Sequence, residues 1–294
     1  MKGIIIFATG ARGVAVIERL IADGHEVAGI IVPIGQPPSD LAELAYRHGC
    51  HLSAPEDVNS SIFLDLLARR GVELSIVAGF PTIFGQALID LPRRGTINLH
   101  AGRLPAYRGG SPLQWQMING EAEAGISVIR MDSGIDTGPL LAEASISIDR
   151  DATIADLQSV ADGQFADLVA QCVAGLSDDS LVERPQSGQG NYWHQRNDAD
   201  GRVEFARLSA KQVYDLVRAI TRPYPGAFSF LGKDLVRLWK VDVASTAMSG
   251  VPGRIVWLQG QGPYVICREG AVLVRDLEID GAETPKLRTG QRLT

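Results

Sequence analysis

The sequence lacks the features of a membrane or secreted protein. No apolar run in its 294 residues reaches the ~18 residues that a membrane span needs. The stretch from Met1 to Phe7 is too short for a signal peptide and has no small-residue cleavage site, so we expect a cytoplasmic protein. The three cysteines, Cys50, Cys172 and Cys267, are odd in number and far apart. This favours reduced, mostly buried thiols over disulfides or a metal site.

Dense runs of basic residues are also missing. The net charge is −6, the acidic excess lies within residues 1–200, and the modest basic excess of residues 201–294 is scattered. This pattern excludes a nucleic-acid-binding tail. There are no internal repeats and no low-complexity tracts, and the length predicts one large and one small domain.

What is present is an alternation of strand-like and helix-like segments. Residues 2–8 read as a buried strand and residues 12–22 as a helix, joined by a glycine-containing turn at residues 9–13 that could receive a phosphate. Such turns are also common in ordinary structure, and no acidic ribose partner follows the second strand. Further helices are predicted at 40–48, 60–70, 86–91, 112–120, 153–174 and 209–220, and strands at 26–32, 74–78, 96–97, 125–131 and 140–148.

We therefore predict an α/β fold with a Rossmann-like, mostly parallel sheet and helices on both faces. Short strands at 227–230, 234–243, 254–257, 264–267 and 271–279 have the spacing of a smaller, β-rich, OB-like barrel. The polar stretch 177–197 predicts the boundary. The predicted organisation is a catalytic domain over residues 1–180, a linker or substrate loop over 181–204, and a C-terminal domain over 205–294.

Candidate chemistry lies between residues 98 and 138. Asn98 and His100, two residues apart on an extended segment, present their side chains on one face. An amide N–H can donate to an oxyanion, an imidazole can accept a proton at neutral pH, and a carboxylate such as Asp136 can orient that imidazole. No Ser or Cys occupies an obvious nucleophile position, which favours direct attack by a substrate group on a carbonyl. Asn-x-His pairs and aspartates in glycine-rich turns also occur as ordinary loop structure, so these residues alone leave both interpretations open.

The ordered motifs around these residues resemble one family. NLH, LPAYRGGSP, QW, ING, GISV and MDSGIDTGPLL are similar to the formyltetrahydrofolate-dependent formyltransferases, over roughly residues 1–243. The resemblance implies a folate-dependent formyl transfer, with Asn98, His100 and Asp136 as catalytic residues and no metal. The Asn98 amide and protonated His100 would stabilise the oxyanion, and Asp136 would support His100.

The resemblance also implies the binding residues. The donor, 10-formyltetrahydrofolate, is expected between two loops, against Phe80, Thr82, Ile83, Phe84, Asp132, Gly134, Ile135 and Gly138. The segments 192–202 and 218–228, PYPGAF above all, are most similar to enzymes that formylate nucleotide-linked amino sugars. A nucleotide sugar needs a flat surface for its base and cations for its diphosphate. The candidates are Gly10, Arg12, Tyr107, Arg108, Trp193, Arg196 and Tyr224, each of which could equally serve packing or a surface ion pair.

The expected function is formylation of a nucleotide-linked amino sugar, as in O-antigen or lipopolysaccharide biosynthesis, by a homodimer in the family's manner. The main competing function is formylation of initiator Met-tRNA, against which the absence of Lys and Arg from residues 33–40 counts. A non-catalytic nucleotide-binding module and a folate deformylase are two further candidates. Two departures from the family pattern concern the acceptor: Gly102-Arg103 replaces a Ser-Leu pair, and Pro81 stands where sugar-modifying relatives often have a basic residue.

Overall fold

The structure is a computed structural model that describes residues 1–35, 39–282 and 286–294. The chain divides into two compact units: Met1–Pro112, Gly125–Ile146 and Ser159–Trp193 form the first, and Leu113–Ala124, Ser147–Gln158 and His194–Thr294 form the second. Gln36, Pro37 and Pro38 of the uncharged 33–40 stretch lie outside the described residues.

The first unit is built on a seven-stranded sheet in the order β3-β2-β1-β4-β5-β7-β8. Neighbours from β3 to β5 pair in parallel, and β7 pairs antiparallel with β5. The strands are β1 (Ile4–Ala8), β2 (Val27–Ile31), β3 (His51–Ser53), β4 (Leu74–Ala78), β5 (Thr96–His100), β6 (Arg108–Gly109), β7 (Glu123–Arg130), β8 (Leu140–Ser147) and β9 (Tyr192–Trp193). The helices up to residue 177 are α1 (Gly10–Ala22), α2 (Ser39–His48), α3 (Ser61–Arg69), α4 (Gln86–Asp90), α5 (Pro112–Ile118) and α6 (Ile154–Ser177). All of α5 after Pro112 and the first turn of α6 belong to the second unit.

Helices cover both faces of this sheet because its central strands, such as β1, are apolar and buried at successive positions and so present apolar side chains on both faces. Ile5 and Phe7 of β1 pack into a core cluster with Phe63 and Leu67 of α3. The neighbouring Ala8 points to the other face, where Gly13 lets α1 approach so closely that a Cβ there would lie 2.6 Å from the Ala8 Cβ. The predicted Rossmann-like architecture is confirmed.

The second unit contains α7 (Ala210–Ile220) and a five-stranded antiparallel sheet in the order β10-β11-β14-β13-β12. Ser209 caps α7 by accepting a hydrogen bond from the Gln212 N–H. The strands are β10 (Ala227–Leu231), β11 (Asp234–Val243), β12 (Ile255–Leu258), β13 (Gly262–Ile266) and β14 (Ala271–Ile279).

The C-terminal segment joins the two edge strands of that sheet. Ile255 of β12 donates its N–H to the Gln291 carbonyl at 2.9 Å, and Thr294 and Phe230 of β10 exchange two backbone hydrogen bonds of 2.9 and 3.0 Å. Edge strands that are paired in this way form a barrel-like sheet, so the prediction of a β-rich C-terminal part is confirmed.

The cysteines are mostly buried, as predicted. All three are free thiols, with Cys172 and Cys267 buried and Cys50 half-buried. Burial raises the pKa of the Cys172 and Cys267 thiols to about 12. Among the described residues, no helix combines the length and the apolar character that a membrane crossing requires.

Candidate active site

Asn98, His100 and Asp136 come together in the first unit. Asn98 and His100 lie on β5, and Asp136 lies in the turn that follows β7, the antiparallel neighbour of β5. The Asn98 Nδ2 is 3.4 Å from the Asp136 Oδ1, and the His100 Nδ1 is 3.4 Å from the Asp136 Oδ2. The strand alternation therefore places the amide and the imidazole on the same carboxylate, as the spacing predicts.

The environment of His100 favours its neutral form. The side chain is 5% exposed, and burial is the largest effect, lowering the pKa of the imidazole. The Asp136 carboxylate and the Tyr107 carbonyl oppose this effect, while the positive charge of Arg12 adds to it. The His100 Nε2 lies 2.5 Å from the Tyr107 carbonyl oxygen, which can only accept, so Nε2 carries a proton. In the neutral ring the other nitrogen, Nδ1, is then the proton acceptor, and it faces Asp136.

The turn that carries Asp136 is fixed from within. The Asp132 carboxylate accepts hydrogen bonds from the Gly134 N–H at 3.0 Å and the Thr137 hydroxyl at 2.7 Å. Gly138 closes the turn, where a Cβ would lie 1.8 Å from the Arg130 carbonyl oxygen. Only glycine fits that approach, so Gly138 is needed for the conformation of the turn.

A cavity of about 180 Å³ opens beside these residues at the carboxyl end of β4. Its apolar side is formed by the 80–84 loop, and its polar side by the 132–136 turn together with Asn98. Phe80 and Phe84 also pack edge-to-face on Phe7, with ring centroids 5.5 and 4.7 Å apart, so they serve both the core and the cavity wall. Of the eight residues expected to bind the donor, the lining contains Phe80, Thr82, Ile83, Phe84, Asp132, Gly134 and Ile135, but not Gly138.

The expected acceptor residues of the first unit make internal contacts. The Trp193 ring stacks on the Tyr107 ring with centroids 5.5 Å apart, and its Nε1–H donates to the Ala106 carbonyl at 3.0 Å. Arg12 is paired with Asp162 at 2.9 Å and lies over the Phe165 ring. Gly10 opens α1 with a φ of +56°. The structure therefore brings Tyr107 and Trp193 together as a packing pair.

Arg108 contacts the turn that carries Asp136. Its Nε donates to the Asp136 carbonyl at 3.1 Å, and the next residue, Gly109, donates its N–H to the Asp136 Oδ2 at 2.9 Å. β6, which contains both residues, pairs in parallel with β9. No sequence pattern predicts this two-stranded sheet, because each of its strands is only two residues long.

The remaining expected acceptor residues belong to the second unit. The Arg196 guanidinium lies 5.2 Å from the centroid of the Trp115 ring, and burial lowers its pKa. The Tyr224 hydroxyl accepts a hydrogen bond of 2.7 Å from the Gln158 side chain. Their contacts are thus made within that unit.

Two residues with clear contacts in the site are not predicted from the sequence. Gln186 lies in the predicted linker, and its side chain contacts the backbone at Asp136 and Gly138. Gly102 stands out in the sequence only as a departure from the family pattern. A Cβ at Gly102 would lie 2.6 Å from both the His100 Nε2 and the Tyr107 carbonyl oxygen. The glycine in place of a residue with a side chain is the sequence signal that could have identified this position.

Within the described ranges, no three His, Cys, Asp or Glu side chains are arranged to hold a metal ion. The Asn98 amide and the Asp136 carboxylate line the cavity, and the buried, neutral His100 imidazole lies behind them against Asp136. This set can stabilise an oxyanion and accept a proton from an attacking nucleophile.

Comparison with known proteins gives matches along most of the chain. The family model described as "Formyl transferase" matches residues 3–164, and "Formyl transferase, C-terminal domain" matches residues 196–289. The methionyl-tRNA formyltransferase of Geobacter sulfurreducens is 32% identical over 99% of this chain and 94% of its own length.

Two solved structures are similar in fold. The N-formyltransferase from Helicobacter canadensis, in complex with folinic acid and dTDP-3-aminofucose, has a TM-score of 0.72 at 14% identity over 95% of this chain and 100% of its own. HypX from Aquifex aeolicus, in complex with tetrahydrofolic acid, has a TM-score of 0.64 at 19% identity over 93% of this chain and 43% of its own. At these identities the likeness concerns the fold.

Proposed function

Since the chain belongs to the formyltransferase family, we propose that it transfers the formyl group of 10-formyltetrahydrofolate to the primary amine of a nucleotide-linked amino sugar. The chain is an enzyme of folate-dependent formyl transfer. The observation that carries the proposed mechanism is the convergence of Asn98 and His100 on the Asp136 carboxylate, with Asn98 and Asp136 lining one cavity. A cytoplasmic location, a role in O-antigen or lipopolysaccharide biosynthesis and a homodimer remain parts of the proposal.

The cavity suits the donor. A reduced folate has a flat heterocycle with polar edges, and the cavity pairs an apolar side with a turn that offers backbone and carboxylate groups. The donor supplies the formyl group as an activated acyl group. We assign Phe80, Phe84 and Ile83 to the apolar contact and the 132–136 turn to the polar edge.

The proposed reaction is direct attack of the acceptor amine on the formyl carbon. The Asn98 Nδ2–H donates to the developing oxyanion. The His100 Nδ1, kept neutral by burial, accepts the proton that the amine loses, and the resulting imidazolium adds its positive charge to the stabilisation. Asp136 stabilises the imidazolium, and the proton then passes to the departing folate nitrogen. Protonated His100, which the family resemblance implies, is thus the form that follows attack.

The acceptor is proposed from charge and sequence similarity. The sequence has a net charge of −6 and a pI near 5.4, and residues 33–40 contain no Lys or Arg. A tRNA is a polyanion whose binding relies on clustered cations, whereas a nucleotide sugar has one diphosphate. The similarity of PYPGAF to sugar-modifying enzymes supports the smaller acceptor.

Methionyl-tRNA is the second candidate acceptor. The specific observation in its favour is the full-length match to methionyl-tRNA formyltransferases, 32% identical in the Geobacter sulfurreducens protein. A deformylase function is disfavoured because the chain also matches the C-terminal formyltransferase domain.

Calorimetric titration of the full chain with UDP, dTDP, GDP and initiator Met-tRNA tests the acceptor. We expect one of the three nucleoside diphosphates to bind with a dissociation constant at or below the millimolar range and the tRNA not to bind. Binding of the tRNA alone would reverse the assignment, and absence of binding by every nucleotide would remove the support for a nucleotide sugar.

A further inference from the structure

Gln186 contacts the turn 132–138, which carries Asp136 and is called the catalytic turn below, from a distant part of the chain. Its Nε2 donates to the carbonyl oxygens of Asp136 and Gly138, at 2.8 Å each. Its Oε1 accepts from the Arg108 Nε at 3.1 Å and from an Arg108 terminal nitrogen at 2.7 Å. The single amide of Gln186 therefore joins the catalytic turn to β6.

We propose that Gln186 is a positioning residue that, together with Arg108, holds the Asp136 carboxylate against His100 and Asn98. This inference rests on the proposed catalytic role of those three residues. It assigns the predicted linker segment a part in the active site.

The backbone of Asp136 shows why such support is needed. Asp136 has a φ of +53°, in the left-handed region that residues other than glycine rarely adopt. Such a conformation is strained and persists where the surroundings determine it. Here the Asp136 carbonyl oxygen receives one hydrogen bond from Gln186 and one from Arg108. These two bonds fix the peptide that follows Asp136 and thereby the direction of its side chain.

The Gln186 and Arg108 side chains are also hydrogen-bonded to each other. Arg108 divides its Nε between the Asp136 carbonyl and the Gln186 Oε1, while the Gly109 N–H next to it holds the Asp136 Oδ2. Loss of the amide would remove one donor from each of the Asp136 and Gly138 carbonyl oxygens and would leave Arg108 with the Asp136 carbonyl alone as acceptor in this group. We therefore expect the carboxylate to move away from Gly109 when Gln186 is replaced by an apolar residue.

A backbone pairing close to Gln186 makes it possible to distinguish positioning of Asp136 from mere attachment of the segment around Gln186 to the first unit. Leu140 and Arg184 exchange two hydrogen bonds, of 2.8 and 2.9 Å. Since they involve only backbone atoms, they should survive replacement of the Gln186 side chain. The Leu140 amide thus reports whether the segment stays in place, and the Gly109 amide reports where the Asp136 carboxylate lies.

The test is amide hydrogen exchange in the full chain, comparing the wild type with Gln186→Met, which has nearly the same shape. Gln189→Met, at an exposed position three residues further on, is the matched control. We expect exchange at the Gly109 amide to accelerate at least ~10-fold in Gln186→Met and to stay unchanged in Gln189→Met, with the Leu140 amide unchanged in both.

An unchanged Gly109 amide in Gln186→Met would overturn the proposal. Acceleration at both Gly109 and Leu140 would also overturn it, since Gln186 would then only dock the segment. If Gln186→Met does not fold, Gln186→Asn takes its place in the same comparison, because it retains an amide that is one methylene too short to span both carbonyl groups. The measurement uses neither donor nor acceptor, so its failure is distinguishable from a failure of the proposed function.

Discussion

The donor side and the acceptor side of this site differ in how they are built. Much of the cavity wall comes from two short loops. The 80–84 loop follows β4, and the 132–136 turn follows β7. The expected acceptor residues come from both units, and Tyr107, Arg108, Trp193 and Tyr224 use their side chains in internal contacts. The residues proposed for the chemistry and the donor therefore follow from sheet topology, whereas those proposed for the acceptor are held by packing within each unit.

The largest effect is expected at the proposed catalytic residues. Asn98→Ala and His100→Ala should each lower the turnover of formyl transfer ~10²–10³-fold, because one removes the oxyanion donor and the other removes the proton acceptor. Steady-state kinetics measures the loss, and thermal unfolding serves as the control for an intact fold. Turnover close to that of the wild type in either variant would contradict the proposed catalytic roles.

Gly102→Ala tests whether the close approach at His100 is needed. The added Cβ would meet the His100 Nε2 and the Tyr107 carbonyl oxygen, each 2.6 Å away, and would separate these two groups. We expect turnover to fall ~10–100-fold, as for other misplaced catalytic groups.

The matched control for that variant is Gly163→Ala on α6, where an added Cβ meets nothing within 4 Å. It should leave turnover unchanged and raise the free energy of unfolding by ~0.5–1 kcal/mol, since alanine is the better helix former. Equal turnover in the two alanine variants would show that the approach at Gly102 has no catalytic importance.

Ile83→Ser tests whether the donor binds in the cavity. Ile83 lines the cavity but is 79% exposed in the structure, so its replacement should hardly affect stability. We expect tetrahydrofolate to bind ~3–10-fold more weakly by calorimetry, because the apolar wall is lost. Ile62→Ser, at a position that is 83% exposed and outside the cavity lining, is the control and should bind normally. Unchanged affinity in Ile83→Ser would place the donor elsewhere.

The smallest effect concerns stability at acidic pH. Burial lowers the pKa of His100 in the folded chain, so at pH values below ~6.5 the unfolded chain binds a proton that the folded chain resists. The free energy of unfolding is therefore unaffected by His100 above that pH and decreases as the pH falls below it. Chemical denaturation at pH 7.5 and 5.5 should show a larger loss for the wild type than for His100→Gln. An equal loss in both would mean that His100 titrates normally.

The comparison of the two sides also shows what the sequence could predict. Strand and helix periodicity located most elements within a few residues, and β11 and β14 have the predicted bounds, because each element buries a continuous apolar pattern. The 80–84 segment and Asn98 were placed at the carboxyl ends of strands by the sequence pattern, and the other cavity residues were implied by the family resemblance. Three strands of two or three residues, β3, β6 and β9, were missed because such short pairings leave no periodic pattern.

The contacts of Gln186 and Gly102 could not be predicted from the sequence for a physical reason. Gln186 meets Asp136 across 50 residues of chain, and nothing in the polar stretch around it distinguishes it from its neighbours. The significance of Gly102 depends on the Tyr107 carbonyl folding back onto His100, a contact that only the folded loop creates.

The central claim is that the chain formylates the amine of a nucleotide-linked amino sugar. The most direct test incubates the enzyme and 10-formyltetrahydrofolate with a panel of UDP-, dTDP- and GDP-linked amino sugars, including dTDP-3-aminofucose, and separately with initiator Met-tRNA. Mass spectrometry then determines which molecule gains one formyl group. We predict the gain on a nucleotide-linked amino sugar and none on the tRNA. Formylation of the tRNA alone, or release of free formate without any formylated acceptor, would contradict the claim.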